Sequence, residues 1–170
     1  MEISSYLVDY LARFGHFLFG ITWIGLLYFL NFAQAPYLKE AGAEARVDVL
    51  SQLLPKVMWW FRWAAMFTVA TGAVMLYYRW SALTLDIMLG ASLGTLMFLN
   101  VWLVIWPQQR IVIASNEAVR GGGTPRPEAA SAAAKATLAS RTNTLFSAPM
   151  LFFMGSSSHF NHGLLSQASD

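Results

Sequence analysis

Phe14-Gly15-His16-Phe17-Leu18-Phe19-Gly20-Ile21-Thr22-Trp23-Ile24-Gly25 is the stretch on which the reading of this chain turns. It is made for apolar surroundings, yet it carries a histidine. An ionisable side chain at bilayer depth is costly, so it marks a functional site by default. The apolar run extends on both sides, from about Tyr10 to Phe32. That is near the roughly 20 residues a helix needs to cross the hydrocarbon.

Working outward, three more runs of this kind follow: about Val57 to Tyr78, Leu83 to Trp106 and Asn143 to Phe160. They are continuous, not alternating, and lack turn signals at barrel spacing, so helices are expected and strands are not. The composition agrees. Of 170 residues, 56% are hydrophobic and only 12% charged, about half the charged fraction of an average soluble domain. The expected fold is all-α: a single integral membrane domain, a four-helix bundle. The first run lacks a basic leader and a small-residue cleavage site, so it is read as a retained helix. The absence of cysteine excludes disulfides, thiolate metal sites, iron–sulfur clusters and covalent c-type haem attachment. The net charge is +2, and the basic residues are scattered among connections. That pattern does not fit nucleic acid as a partner.

Lys39, Arg46 and Lys56 follow the first span, and Arg110, Arg120, Arg126, Lys135 and Arg141 follow the third. The opposite end carries only Arg13 and Arg79. By the positive-inside rule both long connections are cytoplasmic and both termini periplasmic, in a bacterial inner membrane. The first connection is expected to hold a short amphipathic helix from Ala43 to Leu54. In the second, Gly121-Gly122-Gly123-Thr124-Pro125 breaks a cytoplasmic helical hairpin of about 108–140. Pro127 with Glu128 suits the start of its second arm. Pro149 is expected to kink the fourth span.

An even number of crossings puts the start of span one and the end of span four on one side. His16 and His159 then lie at similar depth, each about one turn inside. Gly20 and Gly155 lie one turn deeper than their histidines, on the same helix faces. Such a flat surface between two imidazoles suits a porphyrin, so His16 and His159 are the candidate axial ligands of a haem b. His162 is the alternative ligand. Arg13 and Arg79 are candidates to pair with the propionates. Met150 and Met154 approach His159 and make copper the minor alternative, since thioethers suit Cu(I). A second polar group, Asn31, Arg62, Asn100 and Asn143, lies toward the cytoplasmic side. It is read either as an anion or purine site, or as a snorkelling Arg62 beside asparagines that glue helices together, the second being preferred. Gly90-Ala91-Ser92-Leu93-Gly94 marks close packing, within the bundle or with a partner such as a second copy. No nucleophile–base pair or paired carboxylates support hydrolysis. Asp86 reads as an acid at a span's edge.

Several of these pieces together resemble the membrane domain of the bacterial membrane-bound, cytochrome-c-linked urate oxidases. They are His16 with Gly20, Trp23, Ile24 and Gly25; Trp60, Arg62 and Trp63 with Thr71-Gly72; and Asn100 through Trp106-Pro107. In span four they are Arg141, Asn143, Pro149, Phe153-Met154 and Ser158-His159-Phe160. The resemblance touches all four spans but not the alanine-rich hairpin. It implies an oxidoreductase module that hands electrons toward a c-type cytochrome. This chain has no Cys-x-x-Cys-His of its own. The expected function is therefore a haem-binding electron-transfer protein or redox subunit. The alternatives are a non-catalytic subunit of a larger respiratory or oxidase complex, and a urate- or purine-handling module.

Overall fold

The computed structural model describes residues 3–160 and Leu165. Among these residues the chain is helical apart from short turns, with no strand. Helix α1 (Ile3–Tyr28) passes through a π turn (Phe29–Gln34) into α2 (Ala35–Glu40). Helix α3 (Ala43–Asp48) passes through a second π turn (Val49–Leu53) into α4 (Leu54–Tyr78). A 3₁₀ turn (Trp80–Ala82) leads to α5 (Leu85–Asn100), a third π turn (Val101–Ile105) and α6 (Trp106–Arg120). Helix α7 (Ala129–His159) runs without a break and carries Pro149 inside it.

Each π turn stands immediately before an X-Pro pair, at Pro36, Pro55 and Pro107. Proline in a helix lacks an N–H, and its ring collides with the carbonyl four residues back. One wider turn relieves the collision, so the helix continues where it would otherwise break. Two sequence boundaries move for this reason. The first and third spans, expected to end at about Phe32 and Trp106, continue as 36-residue helices, Ser5–Glu40 and Leu85–Arg120. At the helical rise each is about 54 Å long, well beyond a hydrocarbon core of about 30 Å. Both are long and apolar enough to cross a membrane.

The hairpin of 108–140 exists, but its arms are extensions of neighbouring helices: α6 continues α5, and the second arm is the first part of α7. Likewise the amphipathic segment 43–54 is the opening of the helix that becomes α4. At the hairpin tip Gly122 has φ +83°, a left-handed conformation that favours glycine. The Gly123 N–H donates to the Ala118 carbonyl at 2.9 Å, and the Arg126 N–H to Ser115 Oγ at 3.0 Å, closing the turn.

The helices pack as two close pairs, α1 along α4 and α5 along α7. Trp23, Leu27, Met58, Phe61, Met97, Val101 and Ile105 fill the core between them and are almost wholly buried. The GxxxG stretch works inside the bundle. A Cβ on Gly90 would come within 3.1–3.3 Å of Met154 atoms, its backbone nitrogen among them, and one on Gly94 would meet Met150 Cγ at 3.9 Å. These small residues let α5 and α7 approach closely. The two methionines are packed against that glycine face. The outer surface is apolar, with Phe17, Ile21, Leu103 and Leu145 each about two-thirds exposed or more.

Candidate functional site

Asp9, Arg13, His16 and Gly20 recur every three or four residues, so they share one face of α1. That face meets α4 at Thr68, Thr71 and Gly72, and Arg79 just beyond its end. His16 is half-buried there. Its Nδ1 lies 2.8 Å from the Thr68 carbonyl, and Thr71 Oγ1 is 3.4 Å away. A carbonyl only accepts, so Nδ1 carries the proton, and in the neutral ring Nε2 holds the free lone pair. The Thr68 carbonyl has two lone pairs, so it can accept from the ring nitrogen beside its neighbours on the helix. Thr71 Oγ1 donates to the Phe67 carbonyl at 2.6 Å and to the Thr68 carbonyl at 3.0 Å.

The glycine that accommodates this imidazole is Gly72. A Cβ there would stand 3.1 Å from His16 Cε1 and 3.3 Å from Nδ1. Gly20 instead closes on α4, its would-be Cβ 3.9 Å from the Thr68 methyl. Gly155 is exposed, and a Cβ on it would meet nothing within 4 Å. The two glycines expected to line a common slot therefore face different surroundings. The reason is the pairing of helices: α1 turns its histidine face to α4, while α7 belongs with α5. His159 is exposed, and its Nδ1 donates to its own helix at the Gly155 carbonyl, 2.9 Å away. The structure gives the two rings no shared partner. His162 lies outside the described residues.

Above His16, Arg13 and Arg79 converge on one carboxylate. Arg13 Nη2 is 3.0 Å and Arg79 Nη2 3.2 Å from Asp9 Oδ2, and Arg79 Nε is 3.4 Å from Oδ1. One carboxylate thus holds both arginines in place. The sequence placed both arginines near the histidine. It did not assign them Asp9, although the Asp9–Arg13 spacing of four residues is an ion-pair signal.

The second polar group divides in two. The Asn100 amide donates to Asn143 Oδ1 at 2.8 Å and to the Ala139 carbonyl at 2.9 Å. Asn143, fully buried, donates to the Met97 carbonyl at 3.0 Å. Asn31 donates to Ser140 Oγ at 2.8 Å and to the Leu27 carbonyl, and Tyr28 OH pairs with Ser147 Oγ at 2.8 Å. These amides tie α1, α5 and α7 together. Arg62 stands apart, its guanidinium stacked 3.9 Å from the ring centroid of Trp106 and 5.9 Å from that of Trp102.

Asp86 is the residue the sequence reading undervalued. It lies in the first turn of α5, where Thr84 Oγ1 caps the helix by accepting from the Ile87 N–H. The carboxylate is fully buried and accepts from Ser156 Oγ and, at 3.1 Å, from the Leu165 N–H. It thereby ties the end of α7 and the residue beyond it to the start of α5. The signal was an acid two residues after a capping threonine, opposite a run of serines. Among the described residues no three His, Asp or Glu side chains gather as metal ligands would.

A family model described as urate oxidase N-terminal matches residues 80–169, which cover α5, α6 and α7. Neither the curated proteins nor the solved structures include a match to the chain.

Proposed function

We infer that this chain, which belongs to the urate oxidase N-terminal family, is a multi-pass membrane module that binds haem b and passes electrons toward a c-type cytochrome or a larger membrane complex. Family membership conveys an oxidoreductase-related module. The haem and the number of crossings are our reading. Its main support is the state of His16: an imidazole within an apolar helix, oriented by Nδ1–H on the Thr68 carbonyl, with Nε2 left unprotonated. Ligating histidines are held in this way, the second nitrogen fixing tautomer and ring direction.

His16 and His159 would hold the haem iron through Nε2, since each ring directs Nδ1 to a backbone carbonyl, that of Thr68 and that of Gly155. Arg13 and Arg79 supply positive charge beside His16, with Asp9 holding both in place. A bound haem would supply one-electron transfer at a potential set by its ligands and burial. Multi-pass insertion is supported by the apolar outer surface and by the two helices long enough to span. A soluble monomer rarely exposes so many large apolar side chains.

The test is a reduced-minus-oxidised spectrum of the protein made with ample haem and purified in mild detergent. Bands of a b-type cytochrome are expected in the wild type and absent in His16→Ala. Absence of bands in the wild type, or their persistence in His16→Ala, removes the haem reading.

A further inference from the structure

Arg62 and Arg110 share a single ring, their guanidinium carbons 3.9 and 6.0 Å from the Trp106 centroid. Two cations gathered at one ring repel, being within about a Debye length of each other. Neither has a carboxylate or hydrogen-bond partner among the described residues; both described ion pairs use Asp9, at the other end of the bundle. Arg62 Nε is buried without an acceptor, and so is Trp102 Nε1 in the same cluster. Buried donors normally find an acceptor, and an orphaned one calls for an explanation. The remaining Arg62 nitrogens are not enclosed in this way. Stacking holds the guanidinium flat and leaves its N–H edge free for an oxyanion.

The surroundings favour a lipid over a dissolved anion. Trp59, Trp60, Leu103 and Val104 of the same stretch are exposed and apolar. Tryptophan and arginine at one level of a helical bundle are the signature of the headgroup zone, and basic pockets between helices on that side bind acidic headgroups. We propose that Arg62 and Arg110, which share Trp106, bind the phosphate of an anionic phospholipid whose acyl chains lie on the adjoining apolar surface. The proposal rests on the membrane reading given above. The phosphate oxygens accept from Arg62 and Arg110 and neutralise the pair.

The experiment measures lipid retained by the purified full chain in nanodiscs or by native mass spectrometry, with phosphatidylglycerol and phosphatidylcholine in competition. The wild type is expected to prefer phosphatidylglycerol by about tenfold, the size of a charge-assisted pair. The preference should fall several-fold in Arg110→Gln, which alters only an exposed side chain, and vanish in Arg62→Gln/Arg110→Gln. Arg126→Gln, which removes an exposed cation at the hairpin tip, should keep it. Equal retention of the two lipids by wild type, loss of preference in Arg126→Gln, or displacement of the lipid by millimolar inorganic phosphate each overturns the proposal. Alkaline carbonate extraction of wild-type membranes separates the two readings. Release of the protein fells both, whereas retention without lipid preference fells the lipid site alone.

Discussion

At the scale of single residues the histidine was legible and its partner was not. His16 stands out because an imidazole in an apolar run is costly unless it finds a partner. Its anchor is a backbone carbonyl, which every residue possesses, so no side chain in the sequence announces Thr68. The matched glycines at 20 and 155 suggested a slot, but a sequence does not say which helix stands opposite. The structure transfers the packing role to Gly72, and this yields a paired prediction. In Gly72→Ala the new methyl meets the imidazole at 3.1 Å, so the ring must shift by a few tenths of an ångström. In Gly20→Ala the nearest atom is at 3.9 Å, an ordinary contact. On the haem reading proposed above, occupancy read from the b-type absorbance per protein would drop several-fold in Gly72→Ala and stay near wild type in Gly20→Ala. Equal effects from the two substitutions, with helix content unchanged, would mean that the ring's position does not matter to binding.

At the scale of elements the four apolar runs were all visible, and the ends of two of them were displaced. Proline is read as a helix stop because it lacks a donor and clashes backward. Here Pro36, Pro55 and Pro107 each follow a π turn that absorbs the clash, and the helices continue through all three. That remedy depends on neighbours that hold the helix together, which the local sequence does not reveal. The GxxxG pattern, by contrast, was legible as close packing, and the structure specifies its partner as α7. The two glycines differ in tightness, and the difference is measurable. Gly90 faces the Met154 backbone nitrogen at 3.2 Å, an atom that cannot move without its helix, whereas Gly94 has only Met150 Cγ at 3.9 Å. Gly90→Ala should lower thermal stability in detergent, by about 1–3 kcal/mol for overpacking. Gly94→Ala should be neutral or raise it by up to about 1 kcal/mol, since alanine is the better helix former. Destabilisation by both to the same degree would show that α5 and α7 approach evenly along the glycine stripe.

At the scale of the whole molecule, the number of helices could be counted from hydropathy, but their pairing could not. Four runs of similar polarity allow several neighbour arrangements. The choice of α1 with α4 and α5 with α7 is made by specific contacts: His16 on Gly72, Met154 on Gly90, and the Asn100–Asn143 bond. Charge at the two ends carries the remaining global property, orientation. Lys39, Arg46, Lys56, Arg110, Arg120, Arg126, Lys135 and Arg141 gather at the end formed by α2, α3, α6 and the start of α7. At the other end Arg13 and Arg79 share Asp9, so the three side chains together carry a single positive charge. On the membrane reading proposed above, retention of basic segments on the cytoplasmic side would set the hairpin inside and the α4–α5 turn outside. The chain has no cysteine, so single cysteines report without background. Ser81, in the 3₁₀ turn, and Thr124, at the hairpin tip, are both exposed. A membrane-impermeant maleimide applied to spheroplasts should label Ser81→Cys and spare Thr124→Cys, and lysis should make both reactive. Labelling of Thr124→Cys alone would invert the orientation. Labelling of both before lysis would mean that no bilayer separates the two ends, and neither a spanning module nor a headgroup site would then stand.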